Sequence, residues 1–372
     1  MALSTSLKRK LHTVLYILLV WLILGLYIVI YNHLLIASAE AYDFWNSFIT
    51  TLTAVIIAGI VAGNLIVFVL REQFKRLPLG LGLVLYALTF IFLITVITVI
   101  ASFLYNSLNM NLPYYHELVI NDVKRFLMKD YGFLLNLMTW STIAFLTILS
   151  LQVNDNYGQG VFKNLLLGRY HQPKQEDRIF MFLDIKSSTR IAEQVGNIQY
   201  FKLLSKFFRD ISSPVLEYGG EIYQYVGDEV VVSWPLKRGL KNAQALKCFF
   251  AIQDVISAKA GEYQKLFGLV PDFKAGLHFG EVTIGEVGSI KKDIIFSGDV
   301  LNTTSRIQDL CNKFGVNLLV SKKLLDLMPQ ASQYHVKKLE EISLRGKERP
   351  VALCSVQINY TPEPNLTKHI SL

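Results

Sequence analysis

Four long apolar runs in the first 152 residues limit the possible folds of this 372-residue chain more than any other feature. They cover roughly residues 11–31, 48–70, 79–105 and 133–151, and none has a charged residue in its interior. Each is near or above the ~20 residues that a helix needs to cross a bilayer. The first run is too long for a signal peptide and lacks a small-residue cleavage site. We therefore predict an α-helical membrane domain with four spans.

The distribution of Lys and Arg beside the runs predicts the orientation. Basic residues precede the first run at 8–10 and follow the second at 71–76, whereas the segment between these two runs has neither Lys nor Arg. Because basic flanks stay on the cytoplasmic side, both termini of a four-span chain are expected in the cytoplasm. The protein is then integral to the cell's inner or plasma membrane.

The net charge of +8 does not indicate a nucleic-acid-binding protein. It divides into +3 for residues 1–152 and +5 for the remainder, which has no run of Lys/Arg and no basic–aromatic interleaving. Attraction of juxtamembrane residues to anionic lipid accounts for part of the excess. We expect the lipid bilayer, and no nucleic acid, among the partners.

Three cysteines, Cys248, Cys311 and Cys354, are far apart in the sequence and odd in number. This arrangement is typical of reduced cytosolic thiols and argues against a disulfide framework or a zinc site.

The polar part of the chain divides into a linker, a domain and a tail. Residues 1–152 form the predicted membrane anchor and possible sensor, 153–177 a cytoplasmic linker with one short helix at 161–167, 178–360 a catalytic domain, and 361–372 a C-terminal tail. Strand and helix patterns alternate in the domain, with a long helix at 241–260, a strand pair in "DFKAGLHFGEVTIGEVG" and a helix at 300–314. We expect an α+β sandwich with its helices on one face of a mostly antiparallel sheet.

Four polar residues of this domain indicate phosphoryl chemistry. Asp184 ends the apolar strand "RIFMFLDI", and Asp228 lies in a Gly-Asp turn between two strands. Carboxylates at neighbouring strand ends can hold a pair of Mg²⁺ ions. Asn302 and Arg306 are one helical turn apart and face the same way. Arginine suits a phosphoryl group that gains charge in a transition state. Alone, either aspartate is more often a turn or cap residue than a metal ligand, Asn302 could be a buried polar group of a helix, and Arg306 could form a surface salt bridge.

These motifs, in the order "FLDIKSST", "YVGDEV", "GDVLNTTSRIQ" and "LRGKERP", resemble the catalytic domain of the class III nucleotidyl cyclases over roughly residues 178–358. The resemblance implies that Asp184 and Asp228 bind metal, with the Ile185 carbonyl as a further contact. It also implies that Asn302 orients the ribose and that Arg306 stabilises the transition state. The implied phosphate contacts are the backbone amides of Lys186, Ser187, Ser188 and Thr189 at a helix start, together with Lys347 and its neighbour Arg345.

The family's reaction closes a 3′,5′-cyclic nucleotide and releases pyrophosphate, with two Mg²⁺ (or Mn²⁺) ions per site. In the family the metal aspartates come from one protomer and the Asn/Arg helix from the other. A chain that carries both halves is therefore expected to form a homodimer with two equivalent sites. Tethering in the membrane would favour this association.

The residues expected to read the base depart from the family's pattern. Adenine-selective members have Lys four residues before the second metal Asp, a position that is Gln224 here. They also have Asp or Thr three residues before the Gly that opens the "GDVLNTTSRIQ" motif, a position that is Ile295 here. Gln224 has a donor and an acceptor for a purine edge. We expect ATP as the substrate and leave GTP open. A catalytically silent nucleotide receptor is the alternative, whereas a transporter would need polar residues lining a path through the spans, and the interiors of the spans have no charged residue.

Overall fold

The structure is a computed structural model that describes residues 5–36, 43–70, 78–157, 172–289, 293–328, 331, 333–342 and 350–358. The chain divides into two compact units, Met1–Asn156 and Tyr157–Leu372. The predicted domain boundaries at residues 152, 177 and 360 stay predictions. The predicted linker helix at 161–167 and the tail at 361–372 lie outside the described residues.

The described part of the first unit is helical. Its helices are α1 (Thr5–Ile36), α2 (Phe44–Asn64, continued by a π-helical turn at Leu65–Leu70), α3 (Leu79–Met110), α4 (Glu117–Met128) and α5 (Tyr131–Tyr157). All except α4 contain a segment long and apolar enough to cross a membrane: Lys10–Leu35, Phe44–Leu70, Gly80–Met110 and Tyr131–Leu151. The prediction of four such helices is confirmed.

Small and polar residues bring the helices of the first unit together. A methyl group on Gly59 of α2 would come within 2.5 Å of an α1 side chain, so the two helices pack closely there. Trp21 of α1 donates a hydrogen bond to Thr147 of α5 at 3.0 Å. Asn136 of α5 donates one to Thr98 of α3 at 2.9 Å. Side-chain hydrogen bonds of this kind are a common contact between membrane helices.

The second unit is an α+β domain, as predicted. Its strands are β1 (Lys174–Ile185), β2 (Glu221–Val226), β3 (Glu229–Pro235), β4 (Phe273–Val287), β5 (Asp293–Ser297), β6 (Leu318–Ser321), β7 (Tyr334–Ile342) and β8 (Val351–Ile358). Its helices are α6 (Ser188–Val195), α7 (Asn197–Glu217), α8 (Leu236–Leu240), α9 (Gln244–Ala258, preceded by a 3₁₀ turn at Lys241–Ala243), α10 (Ala260–Phe267), α11 (Asp299–Phe314) and α12 (Lys322–Leu325).

The eight strands form one sheet in the order β2-β3-β1-β4-β6-β8-β7, with β5 paired to the end of β4. All pairs are antiparallel except β4–β6, which is parallel. Successive residues of a strand point to opposite faces of the sheet. On β1, Ile179, Met181, Leu183 and Ile185 point into the main core, which α7 and α9 cover. Phe180 and Phe182 point into a separate apolar cluster on the other face.

Helix α11 lies on that other face, so the expectation that all helices share one face is wrong. The reason is visible at Gly276 of β4, where a Cβ atom would lie 2.5 Å from the backbone nitrogen of Gln308. The missing side chain lets the helix backbone rest directly on the strand. Val300, at the start of α11, packs into the same cluster as Phe180 and Phe182.

Two further expectations about the elements are wrong. The region predicted as a strand pair, 272–288, is the single strand β4, whose glycines lie within the ladder. The helix predicted over 241–260 is a 3₁₀ turn followed by α9, because Asn242 and Ala243 have left-handed backbone conformations. Strand β7 was not predicted.

All three cysteines are buried thiols without a disulfide. Burial raises the pKa of Cys311 to about 12. It also raises the pKa values of Cys248 and Cys354 above their usual value.

Candidate active site

Strand β1 delivers Asp184 to the sheet face that α11 covers. Its neighbours Leu183 and Ile185 point into the main core, and the alternation of the strand directs Asp184 the opposite way. In the ladder Asp184 lies opposite Glu229 of β3 and Lys274 of β4. The Ile185 side chain is buried and has no donor atom, so the predicted metal contact would have to come from its backbone carbonyl.

The β2–β3 turn delivers the second carboxylate. The strands end at Val226 and begin again at Glu229, so Gly227 and Asp228 form the two-residue turn. Gly227 has a φ of 63°, the left-handed conformation that such hairpin turns need at their first central position. Since Glu229 pairs with Asp184, the turn places Asp228 beside Asp184, as the sequence predicted.

The two aspartates are close enough to perturb each other. Burial, followed by the hydrogen bond and the negative charge of Asp228, raises the pKa of Asp184 to about 6. Burial, followed by the charges of Asp184, Asp309 and Asp228, raises the pKa of Glu229 to about 7. Burial first, and mutual repulsion second, therefore disfavour the fully ionised form of these carboxyl groups.

Two residues that the sequence analysis missed hold Asp184 from the other side. The Gln308 amide donates a hydrogen bond to Asp184 Oδ2 at 3.1 Å, and Lys274 Nζ lies 3.5 Å from the same oxygen. Both side chains are buried, at 2% and 6% relative exposure. The sequence pattern could have indicated a buried hydrogen bond of Gln308, because this polar residue lies on the apolar side of a helix and buried polar groups need a partner.

Helix α11 presents the predicted Asn302/Arg306 pair on its outer side. Asn302 is exposed and Arg306 half-buried, whereas Thr304, Ile307 and Gln308 are buried against the sheet. Gln308 follows Arg306 by about 200° around the helix. Within one chain, the structure therefore does not bring Asn302 and Arg306 to the side of the helix that meets Asp184.

The predicted phosphate loop lies between β1 and α6. The Lys186 amide already donates a hydrogen bond to the Asp272 carbonyl at 2.9 Å, so it is engaged within the fold. The Lys186 ammonium group likewise binds the Asp272 carboxylate at 2.9 Å and the Asn317 side chain. The remaining predicted amides are those of Ser187, which has a φ of 54°, and of Ser188 and Thr189 at the start of α6.

Amides in the first turn of a helix have no carbonyl within the helix to bond, which makes them available to an anion. The predicted contacts of Lys347 and Arg345 lie outside the described residues.

The predicted base-reading residues lie on two strands that meet over the second face of the sheet. The Tyr223 and Phe296 rings stack with 4.5 Å between their centroids, and the Phe296 amide donates a hydrogen bond to the Tyr223 hydroxyl at 3.3 Å. Gln224 and Ile295 are the sequence neighbours of these rings, and both are exposed. Because successive residues of a strand point opposite ways, the stacking of these rings does not bring the Gln224 and Ile295 side chains together within one chain.

The oxygen donors at this edge fit a divalent cation. Among the described residues there is no group of three His, Cys, Asp or Glu side chains arranged to hold a metal. Asp184 and Asp228 nevertheless provide two adjacent carboxylates, the donors that Mg²⁺ and Mn²⁺ prefer, and a nucleotide's phosphates commonly complete such a site. A cation would also offset the burial and the repulsion from Asp228, which together raise the pKa of Asp184.

The second unit is similar to known proteins. Residues 170–356 match the family model described as the adenylate and guanylate cyclase catalytic domain. Adenylate cyclase 2 of Rhizobium meliloti is 37% identical over 209 residues, which are 56% of this chain and 58% of that protein. An adenylate cyclase of Anabaena cylindrica is 24% identical over 186 residues, 48% of this chain and 36% of that protein. The chain thus matches less than two thirds of the length of each.

The solved structures show the same fold. A bacterial light-regulated adenylyl cyclase superposes with a TM-score of 0.51 at 19% identity, covering 63% of this chain and 69% of that one.

Proposed function

Since the chain belongs to the family of adenylate and guanylate cyclase catalytic domains, we propose that it is a membrane-bound adenylate cyclase. The main support is the adjacent Asp184 and Asp228 carboxylates, with the Asn302/Arg306 pair on the outer side of the helix that packs against them. Two relatives that match this domain, from Rhizobium meliloti and Anabaena cylindrica, are named adenylate cyclases. The four apolar helices support an anchor in the inner or plasma membrane with both termini in the cytoplasm.

The proposed reaction forms a bond from the ribose 3′-oxygen to the α-phosphorus of ATP. The bond from that phosphorus to the pyrophosphate oxygen breaks, and the 3′-hydroxyl proton is lost, which gives 3′,5′-cyclic AMP and pyrophosphate. Asp184, Asp228 and the Ile185 carbonyl would hold two Mg²⁺ (or Mn²⁺) ions, which would supply positive charge for the phosphates and the attacking oxygen. Asn302 orients the ribose, and Arg306 stabilises the charge that develops at the α-phosphate.

We propose a homodimer because the functional residues of one chain lie on opposite sides of α11. The carboxylates of one protomer and the Asn302/Arg306 pair of its partner would together form one complete site. Two-fold symmetry then gives two equivalent sites per dimer. The amides of Ser187 to Thr189, with Lys347 and Arg345, would bind the phosphates that leave as pyrophosphate.

The decisive experiment is product analysis with the purified full-length protein. It is incubated with Mg²⁺ or Mn²⁺ and either ATP or GTP, and cyclic AMP, cyclic GMP and pyrophosphate are quantified. We expect cyclic AMP and pyrophosphate in equal amounts. Cyclic GMP as the main product would keep the chemistry and overturn the choice of base. Nucleotide binding without product would instead favour a receptor role.

Variants connect the product to the proposed site. Asp184→Asn and Asp228→Asn should each abolish metal-dependent turnover, because each removes a charged oxygen ligand. Asp254→Asn is the matched control, since it makes the same chemical change at an exposed position on α9. Equal activity of all three variants would contradict the assignment of the site.

A further inference from the structure

Gln308 makes the side-chain contact that joins helix α11 to the first carboxylate. Its amide donates to Asp184 Oδ2 at 3.1 Å, across 124 residues of sequence. Lys274 approaches the same oxygen at 3.5 Å. Both partners approach Oδ2, so together they fix the orientation of the carboxylate. A carboxylate fixed in this way does not need to reorient when an ion binds.

The backbone around Gln308 is held in place by the strand beneath it. A Cβ atom on Gly276 would lie 2.5 Å from the Gln308 nitrogen and 2.8 Å from the Thr304 carbonyl oxygen, so α11 rests directly on β4. With 2% exposure, the Gln308 side chain has little freedom to turn to another partner. The fold thus builds a rigid amide donor beside the carboxylate.

We propose that Gln308 is a positioning residue, which holds Asp184 in the orientation that binds the metal ion within the same chain. The inference rests on the proposed function and deepens it. Helix α11 then serves two sites at once: its buried side orients the carboxylate of its own protomer, while its outer side offers Asn302 and Arg306 to the partner. The effect of Gln308 must therefore belong to the chain whose Asp184 binds the ion.

The first test measures metal binding without turnover. Full-length protein free of nucleotide is titrated with Mg²⁺, and the midpoint of the increase in Tm is recorded. Gln308→Met keeps the side-chain volume but removes the donor, and we expect the Mg²⁺ midpoint to rise about tenfold, as for loss of a hydrogen bond to a charged group. Thr304→Val is the control, because it removes a polar atom from the same buried side of α11 without touching Asp184.

An unchanged midpoint in Gln308→Met, or an equal rise in Thr304→Val, would overturn the proposal. If Gln308→Met does not fold, Gln308→Asn takes its place, since it keeps the amide but is one methylene too short to reach Asp184. A Mg²⁺ midpoint that depends on Gln308 in a protein that makes no cyclic nucleotide would support the inference while contradicting the proposed enzyme.

The second test asks in which chain Gln308 acts. Coexpressed Asp184→Ala and Arg306→Ala chains can form one complete site, with the carboxylates from the Arg306→Ala chain. Adding Gln308→Met to that chain should raise the Mg²⁺ concentration for half-maximal activity about tenfold. The same substitution in the Asp184→Ala chain should leave it unchanged. An equal effect in both chains would mean that Gln308 only stabilises α11, and the proposal would be wrong.

Discussion

Asp184 is a carboxylate under opposing influences. Burial and the adjacent Asp228 favour its neutral form, whereas Lys274 and Gln308 favour the charged form, and the balance raises its pKa to about 6. Glu229 follows Asp228 in the hairpin, and burial is also the first reason why its pKa is raised to about 7. Without a cation, ionising this cluster costs folding free energy. With one, the same charges become the source of affinity.

This balance predicts how stability depends on pH. A carboxyl whose pKa is raised in the folded state stabilises the fold at low pH, and the contribution is lost as the pH rises from about 4 to about 6. Mg²⁺ binds the ionised form, so its stabilising effect should be small at pH 5 and large at pH 7.5. The measurement is Tm against pH with and without Mg²⁺. Asp184→Asn should flatten the pH dependence, and a Mg²⁺ shift that does not change with pH would contradict the argument.

The choice of base can be tested at Gln224. Because adenine-selective members of the family have Lys there, Gln224→Lys should raise the ratio of cyclic AMP to cyclic GMP formed from equal ATP and GTP. One charged hydrogen bond predicts a change of about tenfold. Gln264→Lys makes the same change at an exposed position on α10 and should leave the ratio unaltered. An unaltered ratio in Gln224→Lys would remove this residue from base recognition.

For helix α11, the sequence predicted the bounds of the helix well but did not predict which face of the sheet it covers. Its period and the Asn302/Arg306 spacing predicted a helix at 300–314, and the structure has one at Asp299–Phe314. The sheet face that it covers depends on Gly276, which is a strand glycine in sequence and a packing contact only in three dimensions. The contact of Gln308 with Asp184 could not be predicted, because the partners are 124 residues apart.

The strands were likewise predictable where local sequence marks them, and not where partners remote in sequence decide the structure. Strand β1 and the β2–β3 hairpin were predictable because apolar residues and a Gly-Asp turn mark them locally. Strand β4 was predicted as two strands because its glycines resemble turn signals. In the structure Gly280 pairs with Arg178, and Gly285 pairs with Ile295 of β5. Partners that are remote in sequence, and not local preference, keep these glycines extended.

Gly276 gives a prediction at this scale. Gly276→Ala forces a Cβ atom against the α11 backbone, which cannot move away without displacing Gln308, and overpacking of this kind costs about 1–3 kcal/mol. We expect Tm to fall by several degrees. Gly285→Ala on the same strand is the control, because its Cβ would meet its nearest atom at an ordinary 3.5 Å. Equal Tm values for the two variants would contradict the proposed close contact.

For the whole molecule, the two units have separate hydrophobic cores. If the four apolar helices cross a membrane and the complete site needs two copies, these helices would hold the second units of the two copies at a high local concentration. Untethered domains would have to associate from solution.

The tether can be replaced to test this role. Residues 172–372 alone should have a specific activity that rises with protein concentration, because two copies must meet. The same residues fused to a soluble dimeric coiled coil should have a specific activity that does not depend on concentration. A fusion to a monomeric helix of equal length is the control. Constant specific activity of the unfused domain from nanomolar to micromolar concentrations would exclude a site shared between copies that associate in this range.

The buried cysteines have a practical consequence. Burial raises the pKa of all three thiols, so at neutral pH they contain little of the thiolate that maleimides attack. A cysteine introduced at an exposed position, such as Asp254→Cys, would therefore take up a spin or fluorescent label without prior removal of the native ones. One such label on each copy would turn the separation of two catalytic domains into a spectroscopic signal, recorded in the full-length protein.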